Sequence, residues 1–384
     1  MKGEEVKTPR FSICRKKRRY GVLKTILLTI LVFGVIITLH ELGHFIAARL
    51  FGVRVNEFSY GMGPKLFSWK GKETQYSIRL LPIGGYVAME GEDEESSDGR
   101  AFCNKAPWKR FIIVFAGAFM NMILGLVLLA AVISRMEYLP LNIIADFDEG
   151  AVSSQVLQSG DRILEVNGCR TPSYNDAVFQ ILRDEDGMLD LTVRRGADLH
   201  LNGWQRFLGV LGLSDMEQGE LVTIEDLTLQ TEILSDGTRM VNIDFNFYVT
   251  QNTFLKGLRY AFTWTGSMMR QVWYSLLDII GGRYGLSEIS GPVGTATVIQ
   301  EASSMGIRTF LMMFSLITVN VGIFNLLPIP GLDGGRLFFL LIEIIRRKPV
   351  PAKFEALVHG IGLVLLLGLV ALVTFSDIMK LIRG

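Results

Sequence analysis

The chain has 384 residues, of which 49% are hydrophobic and 20% are charged, and its formal net charge at pH 7 is +1. This apolar content, with a positive mean hydropathy, indicates a membrane protein rather than a soluble domain. The balanced charge excludes the basic footprint of a nucleic-acid-binding protein, so no nucleic acid is expected as a partner. The three cysteines lie in separate segments and do not form a disulfide framework.

Four segments are long and apolar enough to cross a bilayer. A helix needs about 20 residues to span a hydrocarbon core of roughly 30 Å, and the predicted spans are residues 25–50, 111–135, 309–335 and 356–384. The sequence therefore predicts a polytopic α-helical membrane protein with about four transmembrane helices. A basic tail, residues 1–24, precedes the first span and gives it some likeness to a signal peptide, but no small-residue cleavage site follows the apolar core.

The segments between the spans differ in character. Residues 51–110 form a loop in which strand-like residues flank a Pro-Ile-Gly-Gly centre, and this pattern predicts a β-hairpin or small sheet. Residues 136–252 form a polar insert large enough for one small α+β domain. Residues 253–308 mix charged with apolar and aromatic side chains, which favours helices at the membrane interface over a fifth span. A last loop, residues 336–355, precedes the fourth span.

The first span contains a His-Glu-x-x-His motif at His40, Glu41 and His44. Residues four apart lie on one face of a helix, so the two imidazoles can bind one metal ion. The carboxylate beside them can act as the general base of a zinc hydrolase. Because ionisable groups inside a span are costly, the motif favours a functional zinc site over a polar helix end that meets water.

A catalytic zinc site needs a third protein ligand. The remaining histidines, His200 in the polar insert and His359 near the start of the last span, are poor candidates. Asp333 is a better one, because the third span breaks at the Pro-Ile-Pro-Gly sequence before it, and irregular backbone at membrane depth requires a cavity. The alternative is that Asp333 caps a helix outside the membrane. A metal site within the bilayer predicts hydrolysis of a peptide bond in or near a membrane-spanning helix.

These residues resemble the site-2 protease family of intramembrane zinc metalloproteases, and most of all its bacterial branch with a PDZ domain, the regulator-of-sigma-E protease type. The resemblance covers nearly the whole chain and depends on HELGHF, GMGPKLF, LLPIGGYVAMEGE, AGAFMNMILG, SGPVG and NLLPIPGLDGGR. It implies one Zn²⁺ per chain, bound by His40, His44 and Asp333, with Glu41 as the general base.

The resemblance also implies substrate-binding residues. Asn325 matches a family asparagine that holds or helps unwind the substrate, and Asn121 matches the second-span motif, although Ala118 stands where the family usually has a proline. Gly84 and Gly85 lie in the predicted hairpin, which the family implies is a membrane-associated sheet with its edge offered to substrate. An edge strand would replace the hydrogen bonds that a substrate helix loses when it unwinds.

The family further implies a circularly permuted PDZ domain in the polar insert, over residues 139–197. The strand-like segment that follows, to residue 252, leaves its fold open. A PDZ groove binds chain ends or extended segments, so either a trimmed substrate end or a regulator could be its peptide ligand. The other expected partners are membrane lipid and single-span membrane proteins, namely anti-sigma factors and remnant signal peptides that have already been trimmed.

The distribution of basic residues predicts the orientation. The loop regions 49–110 and 336–353 hold ten and five Lys or Arg, which places both in the cytoplasm of a bacterium. The active site then lies near the cytoplasmic face of the inner or cytoplasmic membrane, and the PDZ insert lies outside. The tail, residues 1–24, carries nine Lys or Arg and conflicts with this orientation; a translation start near Val22 would remove the conflict.

Two other functions stay open from the sequence. A non-catalytic PDZ adaptor could retain a structural zinc ion, but such a site has no use for Glu41. A metal-ion transporter would need polar residues along more spans than the first and the third.

Overall fold

The computed structural model of the chain describes residues 22–92, 96–184, 186–196, 219–233, 239–283 and 291–383. Most of the basic tail and His200 lie outside these residues. Four helices in the described part are long and apolar enough to cross a membrane, which confirms the expected number of spans. The helices are α1 Val22–Leu50, α2 Pro107–Ile133, α3 Tyr174–Leu182, α4 Phe254–Ile280, α5 Pro292–Met305, α6 Ile307–Phe324, α7 Asp333–Arg346 and α8 Ala352–Arg383, with α1, α2, α6 and α8 as the candidate spans.

Glycines bring the candidate spans into close contact. At Gly43, α1 approaches α2 so closely that an added Cβ atom would lie 2.3 Å from the carbonyl oxygen of Ala116. At Gly125, α2 approaches α6, and an added Cβ atom would lie 2.5 Å from a methyl group of Val319. Small residues allow helix backbones to pack in this way, and here they fix α1 against α2 and α2 against α6.

α6 ends earlier than the predicted third span. It stops at Phe324, and an irregular segment leads to a separate helix, α7, where the sequence indicated the end of a span and a loop. Pro328 and Pro330 cannot donate backbone hydrogen bonds to a continuous helix, and Gly331 has a φ of +95°. α7 then forms because its small and apolar residues recur at helical spacing and are buried: Gly334, Gly335, Leu337 and Leu340.

Strands β1 Val55–Lys70 and β2 Gln75–Met89 form an antiparallel hairpin between α1 and α2. Its pairing is irregular, since Phe58 pairs with both Val87 and Tyr76. Gly61 and Gly84 have positive φ angles, which bend the two strands. The hairpin exposes several large apolar side chains: Met62, Leu66, Phe67, Trp69, Leu80 and Leu81.

A charged network ties the hairpin together. The Arg79 guanidinium donates to a carboxylate oxygen of Glu57 at 2.9 Å and to the hydroxyl of Ser59 at 3.0 Å. Lys65 donates to the other oxygen of Glu57 at 3.2 Å. Burial by itself would raise the pKa of the Glu57 carboxyl, but the hydrogen bonds that it accepts from Arg79 and Lys65 outweigh burial, and that pKa is lowered to about 2.

The polar insert folds around an antiparallel sheet of strand order β10-β3-β4-β6-β7, with β5 beside β4. Helix α3 covers the sheet, with Ala177 and Ile181 in the apolar core. The segment whose fold the sequence left open supplies β7 and β10 to this same sheet, since β7 pairs with β6 and β10 with β3. The strands are β3 Tyr138–Phe147, β4 Arg162–Val166, β5 Cys169–Arg170, β6 Met188–Arg195, β7 Glu220–Thr228, β8 Thr231–Ile233, β9 Arg239–Val241 and β10 Phe245–Gln251, with β8 and β9 as a separate pair.

Helix α4 connects the insert to the spans and is not one of the four candidate spans among the described residues. Its polar side holds α3: the buried Asp176 carboxylate accepts hydrogen bonds from Ser267 at 2.8 Å and from Arg270 at 2.7 Å. A second pair joins Arg183, the residue directly after α3, to Asp278 of α4 at 2.6 Å. α4 also exposes large apolar side chains: Phe254, Leu255, Leu258, Phe262 and Trp273.

Candidate metal centre

Helix α1 places the two histidines of the His-Glu-x-x-His motif on one face. Their Nε2 atoms lie 3.2 Å apart, because residues i and i+4 are neighbours on a helix surface. Glu41 follows His40 directly on the same helix. His44 is buried and His40 is partly buried, so the site lies inside the protein rather than at an open helix end.

The start of α7 brings Asp333 to the histidines. Its Oδ2 atom lies 3.0 Å from Nε2 of His40 and 3.2 Å from Nε2 of His44. The irregular segment before it is closed by a hydrogen bond of 2.7 Å from the Gly334 amide to the Asn325 carbonyl. Gly334 must be glycine here, since an added Cβ atom would lie 1.9 Å from the Leu327 carbonyl oxygen. The break in the third span therefore brings the Asp333 carboxylate to the two histidines.

Helix α2 supports the two histidines from behind. The Ile113 carbonyl oxygen lies 2.9 Å from Nδ1 of His44 and accepts a hydrogen bond from it, so the ring proton stays on Nδ1 and Nε2 keeps a lone pair for a metal. The side-chain amide of Asn121 lies 3.3 Å from Nδ1 of His40. Asn121 is fully buried, and its Oδ1 atom has no hydrogen-bond partner as the amide is placed. If the oxygen and nitrogen of this amide exchanged places, Oδ1 would accept a hydrogen bond from Nδ1–H of His40, and Nε2 of that ring would likewise keep a lone pair for a metal.

The three side chains fit a tetrahedral zinc ion. Bonds of about 2.0–2.1 Å at tetrahedral angles separate the ligand atoms by roughly 3.3–3.4 Å, close to the 3.0, 3.2 and 3.2 Å found among His40, His44 and Asp333. Asp333 Oδ2 is buried and receives no hydrogen bond, as expected of an atom that faces a cation. Within the described ranges, this is the single cluster of His, Cys, Asp or Glu whose ligand atoms converge on one point.

The hairpin reaches this centre at Gly85. A Cβ atom added to Gly85 would lie 3.1 Å from Cγ of Glu41 and 3.3 Å from a methyl group of Ile37. Gly84, its neighbour, has a φ of +83° and packs on Met62. The structure thus places Gly85 beside Glu41, and Asn121 beside His40. Asn325 takes part through its backbone, at the end of α6.

The sequence also matches a known protein family. The family model described as Peptidase family M50 matches residues 28–369 of this chain. The chain belongs to peptidase family M50. This membership confirms the predicted site-2 protease family, the enzyme class of a zinc metalloprotease, and zinc as the metal. It also agrees with an integral membrane protein of four apolar helices.

Individual relatives of this M50 chain extend over most of its length. A protein of Clostridium perfringens, provisionally named a zinc metalloprotease, is 34% identical and covers 92% of this chain and 98% of its own. A Fusobacterium nucleatum protein with the same provisional name is also 34% identical, at 93% and 99% coverage. The regulator of sigma-W protease RasP of Bacillus subtilis is 27% identical and covers 94% of this chain and 99% of its own.

Three contacts of the M50 centre were not predicted from the sequence. One is the Ile113 carbonyl, which no side-chain pattern can reveal. Another is Gly117 of α2, where an added Cβ atom would lie 2.3 Å from Nε2 of His44 and 2.8 Å from Nε2 of His40. The third is His359, which contacts the segment before Asp333. Gly117 lies in the quoted motif AGAFMNMILG, and that was the only available signal for it.

Proposed function

We propose that this M50 protein is an intramembrane endopeptidase that binds one zinc ion through His40, His44 and Asp333. The convergence of these three ligand atoms within 3.2 Å carries the proposal, because two of them belong to a helix that is apolar enough to span a membrane. Its substrates are single-span membrane proteins whose outer parts have been removed, and cleavage occurs in or near their transmembrane helices. A site built into a span has direct access to such helices and not to soluble proteins.

The residues of the site have different roles in the proposed hydrolysis. The two histidines and Asp333 would hold the zinc ion, which would supply a Lewis acid able to polarise the scissile carbonyl group and to lower the pKa of a bound water. Glu41 accepts the proton of the attacking water and delivers it to the leaving amine. The Ile113 carbonyl and Asn121 keep the imidazole rings oriented, which ligand histidines require.

The hairpin is the proposed guide for the substrate. A helix protects its amide bonds by internal hydrogen bonds, so a stretch of the substrate must unwind before water can attack it. The edge of the hairpin at Gly84 and Gly85 offers backbone groups to such an extended stretch, and the missing side chain of Gly85 leaves room beside Glu41. Asn121, in the middle of α2, and Asn325, directly after α6, complete the proposed substrate-binding set.

The proposed substrates are anti-sigma factors and remnant signal peptides. The name of the Bacillus subtilis relative, a regulator of sigma-W protease, supports a role in regulated proteolysis upstream of a sigma factor. The α+β insert is proposed to be a permuted PDZ domain that binds the trimmed end of a substrate or a regulator. The strand order with β10 at one edge and α3 covering the sheet supports this assignment, because a free edge accepts an added strand.

The proposed topology places the loops 51–110 and 336–355 and the nearby metal centre on the cytoplasmic side of a bacterial inner membrane, with the insert outside. The excess of Lys and Arg in these loops supports it. α4 is proposed to lie at the membrane surface, because it exposes Phe254, Phe262 and Trp273 while its polar side binds the insert.

Cleavage of a model single-span substrate by purified protein in detergent tests the proposal. Glu41→Gln should reduce cleavage by about 10²–10⁴-fold, the usual contribution of a general base, and should retain about one zinc per chain, since Glu41 is not a ligand. His40→Ala serves as the contrast, because it should lose both zinc and cleavage. If the wild type binds zinc but cleaves neither this substrate nor a panel of signal peptides, the PDZ adaptor becomes the correct function.

A further inference from the structure

His359 lies on α8 and contacts the irregular segment that precedes Asp333. Its Nδ1 atom accepts a hydrogen bond of 3.0 Å from the backbone amide of Gly331. The ring packs on Phe339 of α7 with a centroid distance of 5.8 Å, and its Cε1 atom would be 3.0 Å from a Cβ atom added to Gly335. His359 therefore touches the segment before Asp333 as well as the helix after it.

The other non-proline amides of the segment between α6 and α7, among them those of Ile329 and Leu332, donate to backbone carbonyls nearby. Gly331 differs from them in that it sits in a left-handed conformation, with φ of +95°. The Gly331 amide donates instead to His359 of α8. α8 also packs closely against Pro330, since a Cβ atom added to Gly362 would lie 2.2 Å from the Pro330 carbonyl oxygen.

We propose that His359 is a positioning residue for the zinc site: by accepting the Gly331 amide hydrogen bond, it holds the 325–332 segment so that Asp333 meets His40 and His44. The inference rests on the proposed zinc site. His359 does not bind the metal itself, because its Nδ1 lone pair is used by the amide. Its proton then resides on Nε2, which faces the Glu355 carboxylate of the preceding helical turn at 4.0 Å.

Two substitutions of His359 distinguish the effect of its hydrogen bond to Gly331 from the effect of its packing. His359→Asn keeps an oxygen acceptor at the position of Nδ1 and loses most of the ring, whereas His359→Leu keeps apolar bulk and has no acceptor. Both variants lose the ring contact with Phe339. A difference between them therefore reports the hydrogen bond to Gly331 and not the packing.

The experiment has two readouts on the purified full-length chain. Zinc affinity is measured by competition with a chelator, and amide hydrogen exchange of residues 326–337 is measured in zinc-free protein. His359→Leu should weaken zinc binding by about 10–100-fold, the usual effect of removing a group that orients a metal ligand, and should speed exchange in the segment. His359→Asn should resemble the wild type in both.

The outcomes are distinguishable. The inference is overturned if the Leu and Asn variants behave alike, or if His359→Leu leaves both zinc affinity and exchange unchanged. A wild type that binds no zinc would overturn the proposed metal site instead, and the exchange comparison would still decide whether His359 holds the segment.

Discussion

Gly117 of α2 lies against both histidines of the metal centre, and its replacement by alanine should disable the site. The added Cβ atom would lie 2.3 Å from Nε2 of His44, where ordinary contacts begin at 3.4 Å. One of the two groups must therefore move by about 1 Å. His44 cannot retreat freely, because its Nδ1 atom is bonded to the Ile113 carbonyl of the same helix α2.

The expected size of the effect follows from that displacement. A misplacement of about 1 Å in a catalytic group can reduce the rate by roughly 10²-fold, and here the displaced group, His44, is also a proposed metal ligand. Gly117→Ala should therefore lower cleavage at least about 100-fold and lower the zinc content measured after dialysis. Elsewhere in a helix, glycine to alanine is favourable by about 1 kcal/mol.

Gly368→Ala is the matched control. Gly368 lies in α8, another candidate span, and a Cβ atom added there would meet nothing within 4 Å. This variant should retain zinc, cleavage and thermal stability. If Gly117→Ala keeps wild-type zinc content and cleavage in the same assays, the close approach of α2 to the histidines does not exist and the geometry of the centre is wrong.

Two further predictions concern the charged contacts outside the spans. Removal of the Arg270 side chain, as in Arg270→Leu, should lower the free energy of unfolding by about 1–3 kcal/mol, because the buried Asp176 carboxylate loses its cationic partner. Adding Asp176→Asn to this variant should recover part of the lost stability. Strictly additive shifts in melting temperature for the two substitutions would contradict a direct pair. The folded-state pKa of Glu57, about 2, lies below its ordinary value of 4.5, so its stabilisation is fully present above about pH 4.5 and is lost as the pH falls toward 2. Melting temperatures of wild type and Glu57→Gln should therefore differ at pH 6 and converge near pH 2, and a gap that is independent of pH would refute the role of the Arg79–Glu57 network.

The sequence by itself determined the features that depend on local pattern. Runs of apolar residues predicted four spans, since length and hydropathy alone decide whether a helix can cross a bilayer. The i and i+4 spacing of His40 and His44 predicted one metal-binding face, because helical geometry is fixed by the backbone. Asp333 was identified by the proline-rich break before it, and the family motifs assigned the remaining roles.

Only the tertiary structure decided the contacts between distant segments. It brought Asp333 within 3.2 Å of both histidines, set Gly117 behind them, and joined His359 to Gly331. It also placed β7 and β10 in one sheet with strands from the first half of the insert. Such contacts depend on how helices and strands that are far apart in the sequence pack against each other. A close approach between two helices at a single glycine produces no periodic pattern in the sequence, so it could not be predicted.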